Sequence, residues 1–580
     1  MPTPPVEIII KDAQRDKWLY FKQPLTLFET HDVNSVAGLL ERIESQVNNR
    51  GLIAVGFLSY EAAPAFDDAL MVRSSAFSKL WFGLFETWDE IELDSLPSDK
   101  NYRLGRWSPS MSRNDYEKAI RKIKDRIRCG DTYQVNFTYQ LHSSFSGDAL
   151  AYFRRLNEAQ GGRYAAFISS EKWIICSVSP ELFFHLEGED IVSKPMKGTV
   201  ASGKTTAENR EKTGLLRSEK NRAENIMIVD MIRNDLGRIA RMGQVRVREL
   251  FSAEVYPTVL QMTSTVAAKT NASIRDIFAA LFPCASITGA PKVKTMQIIS
   301  ELESNPRGLY TGAIGFMAPG RRAQFNVAIR TVVIDKTSGK ASYGIGGGIV
   351  WDSDAADEFR ESHTKARVLD RRLPHFRLLE TMLWTAESGF FLLDLHLQRL
   401  ADSAQYFGFR CDQEHIRFSL CELAKRLHAR PHKIRLLLAK NGSFDLGHEA
   451  IDPEKNNRVL AVRLAKTPVH SGDVFLYHKT THRQFYNKAK ALSPRATDDV
   501  ILWNEKKQAT ESTIANIVIK KAGQYFTPPV HCGLLAGTFR QHLLNKKEIA
   551  EKEISVDELR ECDELFLINS VRKWMRAELH

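Results

Sequence analysis

Long apolar segments are missing from this chain of 580 residues. No run approaches the roughly 20 consecutive apolar residues that a membrane-spanning helix needs. Ile8-Ile9-Ile10 is too short and follows no basic stretch, so we expect neither a membrane anchor nor a signal peptide. Low-complexity tracts are also missing, and 43% hydrophobic with 26% charged residues is an ordinary globular composition. The chain is too long for one core, so we expect several folded domains.

Cysteine is scarce and scattered. The seven cysteines are Cys129, Cys176, Cys284, Cys411, Cys421, Cys532 and Cys562. They form no C-x-x-C pair, which argues against a disulfide framework or a zinc site and predicts reduced thiols, as in a cytoplasmic protein. No cysteine lies in a Gly-x-Cys-x-Gly setting, so the sequence predicts no glutaminase nucleophile of its own.

Positive charge is in modest excess, with 81 Lys and Arg against 70 Asp and Glu and a net charge of +11. Basic residues alternate with acidic ones, and Arg121–Arg126 has the composition of a solvated helix face. No run has the pattern of a DNA-reading helix or a base-stacking surface, so we expect no nucleic-acid partner. A mild positive excess favours small anionic substrates, because it attracts them at long range.

Strand-like and helix-like segments alternate along the chain in an α+β pattern with large sheets. Ser112 is a candidate N-cap for the first long helix. Helices are predicted over 112–129 and 357–370, and strands over 51–58, 173–178, 328–334 and 376–382.

Pro374 interrupts this pattern, since proline disfavours helix in the residue before it. A fresh strand-like pattern then begins, and we find no internal repeat between the two halves. The sequence therefore predicts an N-terminal region at 1–105, a catalytic domain at 106–370 and a second α+β domain at 371–580.

Lys197 is the most informative residue of the first part of the chain. It lies in Lys194–Thr199, directly before Gly198 and Thr199. A lysine is costly to bury as a cation, but it becomes a nucleophile when desolvation lowers its pKa. The glycine and threonine would let backbone N–H groups and a hydroxyl approach a ligand closely. A surface lysine before a turn is the alternative that this motif alone leaves open.

Three acidic residues are candidate metal ligands. Glu358 and Glu361 are three residues apart on a predicted helix, so they share one face, and Glu224 opens another predicted helix. The apolar face of that second helix is predicted to contain Ile226, Val229 and Leu236. Mg²⁺ accepts one or two carboxylates together with waters and substrate oxygens. Solvated helix faces are the alternative for such acids.

Glycine-rich segments predict a cavity nearby. Gly344–Val350 is a predicted strand end whose backbone approaches a ligand, because glycine otherwise weakens a strand. Ser286–Lys292 is a predicted turn with hydroxyls and a cation. Arg330 lies in the predicted apolar strand at 328–334 and needs an anionic partner there. A substrate carboxylate or an internal Asp or Glu would serve equally well.

Residues 110–370 resemble the chorismate-utilising enzymes, which include anthranilate synthase, isochorismate synthase and aminodeoxychorismate synthase component I. The matching segments are Gly130–Asn136, Ser179–Phe183, Lys194–Thr199, Arg222–Asn225, Asn234–Arg238, Ser286–Lys292, Tyr310 with Gly312, Asn326–Thr331, Gly346–Val350 and Glu358–Glu361. The resemblance implies the fold of that family, large sheets with surrounding helices.

The same resemblance implies chorismate as substrate and Mg²⁺ as its metal. Glu224 and Glu361 would hold the metal, and Glu358 would transfer a proton. The remaining substrate contacts would come from Gly198, Thr199, Thr288, Tyr310, Arg330, Gly346, Gly347 and Gly348.

Lys197 separates the branches of this family. Anthranilate synthase has alanine there, whereas aminodeoxychorismate synthase has a lysine proposed to add to C2 of chorismate and expel the C4 hydroxyl, after which ammonia enters at C4. A tethered amine has a high effective concentration at that carbon. Gln261 stands where anthranilate synthase has a histidine associated with pyruvate loss, and an amide takes no proton at neutral pH. The resemblance thus implies that the first domain stops at aminodeoxychorismate.

Residues 376–580 resemble the fold-type-IV pyridoxal-phosphate (PLP) enzymes, which include branched-chain transaminase, D-amino acid transaminase and aminodeoxychorismate lyase. The matching segments are Leu393–Leu400, Ser403-Ala404, His478–Arg483, Thr510–Ser512, Asn516, Gly533–Arg540 and Asn569–Arg572. The resemblance implies a second fold of this type and a second cofactor, PLP.

Lys479 would carry that cofactor and move a proton, and Glu511 would pair with the pyridinium nitrogen so that the ring stays an electron sink. The rest of the cofactor site, including the phosphate contacts, would be Arg399, Asn516, Thr538, Phe539 and Ser570.

Together the two resemblances imply a fused enzyme of para-aminobenzoate synthesis, a branch that supplies folate. Chorismate would be aminated first, and the second domain would expel pyruvate. Ammonia would come from a separate glutamine amidotransferase subunit, and a homodimer through the PLP domain is expected. Two alternatives stay open: an anthranilate synthase-like domain joined to an aminotransferase, and a non-catalytic regulatory scaffold.

Overall fold

The computed structural model describes residues 6–99, 101–216, 218–256, 259–370, 374–427, 430–452, 458–494 and 497–580. The chain divides into two compact units. The first comprises Met1–Ala201 and Thr213–Leu373, and the second comprises Ser202–Lys212 and Pro374–His580. The domain boundaries predicted at 105 and 370 stay predictions.

The first unit is built on two large sheets. Its strands are β1 (Glu7–Asp12), β2 (Lys17–Lys22), β3 (Thr26–Thr30), β4 (Ile53–Leu58), β5 (Leu80–Phe85), β6 (Asp89–Ile91), β7 (Tyr102–Leu104), β8 (Ser108–Pro109), β9 (Gln134–Gly147), β10 (Ala166–Ser169), β11 (Trp173–Ser177), β12 (Leu182–Glu187), β13 (Asp190–Lys194), β14 (Met196–Ala201), β15 (Arg246–Val255), β16 (Val259–Lys269), β17 (Gly289–Ala290), β18 (Ala313–Ala318), β19 (Arg322–Val327), β20 (Thr331–Asp335) and β21 (Lys340–Ile349). The described strands of one sheet run in the order β17-β9-β21-β20-β11-β10-β1-β2-β6, and β7 and β8 also pair with β9. Those of the other run β14-β16-β13-β12-β19-β18-β4-β5-β3, and β15 also pairs with β16.

Helices accompany both sheets. They are α1 (Val36–Arg50), α2 (Arg113–Arg128), α3 (Ala149–Gln160), α4 (Thr206–Leu216), α5 (Glu219–Gly237), α6 (Ile274–Leu281), α7 (Lys292–Leu302) and α8 (Ala355–Ala366), and residues 206–212 of α4 belong to the second unit. Short 3-10 helices span Val33–Ser35, Tyr60–Ala65, Leu93–Ser95, Ala285–Ile287 and Arg367–Leu369.

The sheets pack face to face because each buries an apolar face. Ile8 from the first sheet and Phe57 from the second belong to one buried cluster. Helices α2 and α3 add Tyr116 and other residues to a cluster on the first sheet. Helices α1 and α6 do the same on the second sheet, with Leu40 and Phe278. Burial of these apolar side chains drives the layered arrangement.

Several predicted elements are confirmed. The helix predicted over 112–129 is α2, and the Ser112 hydroxyl caps it by accepting a hydrogen bond from the Asp115 N–H. The helix predicted over 357–370 is α8, which gives way to a 3-10 helix at Arg367–Leu369.

Two local predictions are wrong. Arg330 does not lie inside a strand, because β19 ends at Val327 and β20 begins at Thr331, and Arg330 has φ 52°. This left-handed backbone cannot continue an extended ladder. Ile226 is not part of the buried face of α5, since it is 43% exposed. The buried stripe of α5 instead passes through Asn225, Val229 and Ile232, three or four residues apart.

The second unit has two further sheets. Its strands are β22 (Leu378–Thr385), β23 (Gly389–Phe390), β24 (His432–Leu438), β25 (Phe444–Ala450), β26 (Leu460–Leu464), β27 (Asp499–Trp503), β28 (Ala509–Ser512), β29 (Asn516–Lys521), β30 (Gln524–Thr527), β31 (Ala550–Glu551), β32 (Glu564–Asn569) and β33 (Lys573–Leu579). Its further helices are α9 (Leu393–Phe407), α10 (Gln413–Ala424), α11 (Gln484–Ala491), α12 (Thr538–Asn545), α13 (Val556–Arg560) and the 3-10 helices Val474–Leu476 and Val530–Cys532. The described strands pair in the orders β23-β22-β24-β25 and β28-β27-β26-β33-β32-β29-β30-β31.

The predicted α+β class is confirmed in both units. Among the described residues, no helix combines the length and the apolar character that a membrane crossing requires.

Candidate active sites

The first unit contains a cavity of about 230 Å³. All but one of the residues predicted to serve chorismate chemistry line it. They are Lys197, Gly198, Thr199, Glu224, Tyr310, Arg330, Gly346, Gly347, Gly348, Glu358 and Glu361. The exception is Thr288, which is fully buried and donates its hydroxyl to the carbonyl of Cys284 at 3.2 Å.

A β-bulge directs Lys197 into this cavity. The register between β14 and β16 shifts between Met196 and Thr199, so Lys197 and Gly198 fall in the irregular stretch. Gly198 has φ 81°, a backbone region that glycine enters at little cost. Bulges redirect side chains at the edges of sheets, and β14 is such an edge strand.

Gly348 leaves space for the Lys197 amine. A Cβ atom at this position would lie 2.6 Å from Lys197 Nζ, closer than nonbonded atoms allow. Gly344 likewise leaves space for the Tyr310 ring, because a Cβ at position 344 would lie 2.1 Å from that ring. The glycine-rich β21 is therefore shaped around two side chains of the cavity.

Lys197 lies in an electrostatic environment suited to a nucleophilic amine. Burial lowers its pKa, although Glu224 and Glu181 act in the opposite direction. Burial also raises the pKa of Glu181 to about 7, although a hydrogen bond from the Ser286 hydroxyl at 2.6 Å and the charge of Lys197 oppose it. A carboxyl group with this pKa exchanges protons readily at neutral pH.

Glu181 lies in the matching Ser179–Phe183 segment, but no role was predicted for it. Lys365 was not predicted either; its Nζ lies 2.9 Å from Glu361 Oε1 and donates to the Gly346 carbonyl at 3.0 Å. The spacing of four residues between Glu361 and Lys365 on a helix was a signal for this ion pair.

Two carboxyl groups of the cavity have pKa values shifted in opposite directions. Lys365 lowers the pKa of Glu361 and keeps it ionised, whereas burial raises the pKa of Glu358, which accepts a hydrogen bond from Ser353 at 2.7 Å. Glu224 and Glu361 line the same cavity, so two carboxylates are available to an Mg²⁺ ion that takes its other ligands from water and substrate. The donor set fits such an ion.

Arg330 is held by the backbone rather than by an acidic side chain. Its guanidinium donates to the carbonyl oxygen of Lys365 and lines the cavity, and the residue is only 7% exposed. Its left-handed backbone turns the side chain out of the ladder of β20 and β21. A guanidinium in this position is suited to a substrate carboxylate.

The second unit contains a larger cavity of about 490 Å³. Every residue predicted to bind PLP lines it. They are Arg399, Lys479, Glu511, Asn516, Thr538, Phe539 and Ser570. The cavity is therefore built from segments that lie far apart in the sequence.

Lys479 and Glu511 have strongly shifted acid–base properties. Burial lowers the pKa of the Lys479 amine to about 8, and Arg399 acts in the same direction. Burial raises the pKa of Glu511 to about 7, although the Tyr486 hydroxyl donates a hydrogen bond to it. A pyridinium cation would compensate a carboxylate at this buried position. An amine and a carboxyl group with these properties in one cavity have the chemistry that PLP requires.

The phosphate end of such a cofactor has two sets of donors. Thr538 and Phe539 begin α12, where backbone N–H groups have no partner within the helix. Arg399 forms a two-pronged ion pair with the buried Glu380 at 2.9 and 2.7 Å and also donates to the Ala536 carbonyl at 3.0 Å. Burial alone would raise the pKa of Glu380, but Arg399 brings it to about 2. The arginine is thus rigidly held, with further N–H groups for a phosphate.

Cationic residues without a predicted role also line the second cavity. Lys433 and Arg435 come from β24, Arg483 ends the matching segment His478–Arg483, and Arg572 lies at the turn between β32 and β33. Such a set suits a substrate with carboxylate groups. The alternation of β24, which directs residues 433 and 435 to the same face, was the available signal.

Comparisons with known proteins identify a family for each of the two parts of the chain. The family described as chorismate binding enzyme matches residues 7–371, and the family described as amino-transferase class IV matches residues 377–579. Aminodeoxychorismate synthase component 1 of Klebsiella aerogenes is 39% identical over 281 residues, which are 47% of this chain and 61% of that protein. The Bacillus subtilis (strain 168) protein of the same name is 38% identical over 272 residues, 46% of this chain and 57% of that protein.

The chain therefore spans about 60% of the length of these relatives. Anthranilate synthase component I from Streptococcus pneumoniae TIGR4 is a structural neighbour with a TM-score of 0.53 at 22% identity, covering 64% of this chain and 93% of that chain. This likeness shows the fold of the first unit. Because the first family match extends over residues 7–371, the chain belongs to the chorismate-binding enzyme family, and it carries a class IV aminotransferase domain after that region.

Proposed function

We propose that this protein makes 4-aminobenzoate from chorismate in two steps, one in each cavity, and so contributes to folate synthesis. The observation that carries the proposal is the pair of cavity lysines, Lys197 and Lys479, each with a pKa lowered by burial. A lysine of this kind is a nucleophile or a proton carrier rather than a structural cation. Similarity to aminodeoxychorismate synthase component 1 supports the first step.

In the first step, chorismate and ammonia become 4-amino-4-deoxychorismate and water. Lys197 Nζ forms a bond to C2 while the C4–O bond breaks, and the leaving hydroxyl takes a proton to depart as water. Ammonia then bonds to C4, and the bond from Lys197 to C2 breaks. Glu181, with a pKa of about 7, is the proposed donor of that proton, and Glu358 is a second proton-transfer group.

Substrate and metal would share the same cavity. Glu224 and Glu361 would hold Mg²⁺, which neutralises and orients a substrate carboxylate. Arg330 and Tyr310 would contact the rest of the substrate, together with the backbone of Gly346–Gly348. Thr199 lies beside Gln261, whose side-chain amide donates to the Thr199 hydroxyl at 3.4 Å. Because this amide accepts no proton at neutral pH, the first site would release its product with the pyruvyl group still attached.

In the second step, that product loses pyruvate and becomes 4-aminobenzoate. Bound PLP would supply an electron sink for the carbon that loses its proton. Lys479 would hold the cofactor and take the proton from C4, and Glu511, which lines the same cavity, would pair with the pyridinium nitrogen. The cations of β24 and Arg572 would bind the carboxylate of the substrate. Formation of the aromatic ring makes the elimination favourable.

Ammonia, assembly and location are part of the same proposal. A separate glutamine amidotransferase subunit would supply ammonia, and the PLP domain would form a homodimer. Seven free cysteines support a cytoplasmic location.

One incubation tests the proposal. The purified chain is given chorismate, ammonium and Mg²⁺, with and without PLP, and the products are separated and identified. We expect 4-aminobenzoate with PLP and 4-amino-4-deoxychorismate without it, and no product when glutamine replaces ammonium. Anthranilate as the main product would favour the alternative of an anthranilate synthase-like domain joined to an aminotransferase.

A further inference from the structure

The second unit includes a short segment from the middle of the sequence. Ser202–Lys212 belongs to the same compact unit as Pro374–His580, although more distant in sequence than any other part of it. This segment, called here the 202–212 segment, directly follows β14, the strand that carries Lys197. The second unit is therefore not formed by the C-terminal stretch alone.

The 202–212 segment has a defined internal structure. The N–H of Gly203 donates to Asn209 Oδ1 at 2.6 Å, and the N–H of Lys204 donates to Glu208 Oε2 at 2.7 Å. Thr206 begins α4 and is 7% exposed, and Asn209 is 4% exposed. These bonds close the start of the helix and fix the positions of the backbone carbonyls at 203 and 204.

Several hydrogen bonds join this segment to α9. The Tyr406 hydroxyl donates to the Gly203 carbonyl at 2.9 Å, and the Thr206 hydroxyl donates to the Asp402 carbonyl at 2.8 Å. The Lys204 ammonium also donates to the Tyr477 hydroxyl at 3.2 Å. The segment is thereby fixed next to residues 477 and 478, immediately before Lys479.

His478 is the central contact. Its Nε2 lies 2.9 Å from the Lys204 carbonyl oxygen, and its Nδ1 lies 3.0 Å from the Ser403 hydroxyl. The residue is 6% exposed, and burial lowers its pKa to about 4, so the ring is neutral at pH 7. A carbonyl only accepts, so Nε2 carries the hydrogen and Nδ1 accepts from Ser403. Both ring nitrogens are satisfied in a single tautomer.

The backbone at Lys479 is consequently fixed by two contacts, one made by its own carbonyl and one made by the preceding residue. Its own carbonyl accepts a hydrogen bond from the Leu379 N–H at 2.9 Å, which ties it to the start of β22. The preceding residue, His478, is tied to the 202–212 segment. The path of the backbone at a lysine decides where its amine reaches, and small displacements in an active site reduce activity strongly.

We propose that the 202–212 segment is a positioning element of the second active site, and that His478 is the positioning residue through which it fixes Lys479. This inference rests on the proposed role of Lys479 as the lysine that carries PLP. It adds that a complete PLP site in this protein requires residues from the middle of the chain.

Amide hydrogen exchange of the full-length protein, with and without added PLP, tests the inference. PLP binding should slow exchange in residues 203–212 at least about tenfold, as well as around Glu511 and Thr538, because a ligand stabilises every segment that its site requires. Protection around Glu511 and Thr538 without any in residues 203–212 would overturn the inference and leave the proposed function intact. No PLP-dependent change anywhere would overturn both.

Variants of the full-length chain test His478 itself. His478→Phe keeps a flat ring but removes both hydrogen bonds, and we expect PLP affinity to fall at least about tenfold, since the loss of even one buried hydrogen bond costs about that much. His478→Gln keeps a donor for the Lys204 carbonyl and should recover most of that affinity. His415→Phe, at an exposed position of α10, is the matched control and should bind PLP as the unmodified protein does.

A second readout separates positioning from general stability. In PLP-free protein, the acylation rate of Lys479 is followed against pH by mass spectrometry. For His478→Phe the midpoint should move upward from about 8, because a displaced amine is better hydrated. Tyr406→Phe, which removes the hydrogen bond to the Gly203 carbonyl and keeps His478, should shift it less and serves if His478→Phe folds poorly. Unchanged affinity and an unchanged midpoint in both variants would show that the segment does not position Lys479.

Discussion

Lys197 and Lys479 are two buried amines in one chain, and the balance of charge around them differs. Acidic groups outnumber cations around Lys197, where Glu224, Glu181 and Glu361 act together with the cation Lys365. Around Lys479 the cations Arg399 and Arg483 act together with the acids Glu380 and Glu511. The first amine thus belongs to a network of acids that can also hold a metal and transfer protons. The second lies in a cationic cavity that suits an anionic cofactor and substrate. Burial lowers the pKa of both amines, and their different surroundings suit the two different kinds of chemistry proposed for them.

The two lysines also differ in how the fold places them. Lys197 lies in a β-bulge of an edge strand, and Gly348 leaves the space that its amine occupies. Lys479 lies outside the strands and is fixed by hydrogen bonds of its own carbonyl and of its neighbour His478. The glycine that makes room for Lys197 lies in a segment recognisable from the sequence. The contacts that fix Lys479, in contrast, join residues that are distant in the sequence.

Lys197→Ala should have the largest effect on the first reaction. Without the tethered amine, we expect amination at C4 to fall on the order of a hundredfold or more, or to occur at another carbon, because the high local concentration of nucleophile is lost. Product analysis with chorismate, ammonium and Mg²⁺ measures this. Lys340→Ala, at the exposed start of β21, is the control. Amination of C4 at the original rate would rule out a covalent role for Lys197.

Glu181→Gln should have the next largest effect. Loss of a proton-transfer group costs about a hundredfold in rate. Since the pKa of Glu181 is about 7, its protonated form prevails below pH 7, so the first reaction should slow as the pH rises above that value. The variant should lose this limb of the pH profile, and Glu187→Gln, on the exposed end of β12, should keep it. A profile that keeps the limb in Glu181→Gln would assign the proton to another group.

The smallest expected effect is the shift in the pH dependence of Lys479 acylation. In PLP-free protein we expect its reactivity to rise with a midpoint near pH 8, against the ordinary lysine value of 10.5, because the neutral amine is the reactive form. Exposed lysines of the same sample provide the reference. A midpoint equal to theirs would mean that the second cavity does not desolvate Lys479.

Much of the fold could be predicted from local sequence. The helix after Ser112 carries its own cap, and the spacing of Glu358 and Glu361 placed both on the side of α8 that faces the cavity. The ordered motifs identified the family, which is confirmed. The predicted PLP residues likewise line one cavity, although their assigned roles stay predictions.

Other features depend on tertiary structure. Arg330 looked like a strand residue because its neighbours are apolar, but its backbone is left-handed. Its carbonyl accepts a hydrogen bond from the Val178 N–H, and its guanidinium donates to the Lys365 carbonyl. Glu181 becomes a proton-transfer candidate through burial, which the sequence does not reveal. The 202–212 segment carries no local sign that it belongs with Pro374–His580. Each of these follows from contacts between residues distant in sequence.

The claim that each cavity carries out one of the two steps is tested most directly by the product that Lys479→Ala makes in the presence of PLP. Chorismate, ammonium and Mg²⁺ are supplied, and the products are separated by chromatography and identified by mass. We predict that 4-amino-4-deoxychorismate accumulates at the rate of the unmodified first reaction, with 4-aminobenzoate reduced to traces. Undiminished formation of 4-aminobenzoate would contradict the claim that Lys197 begins a synthesis that Lys479 completes.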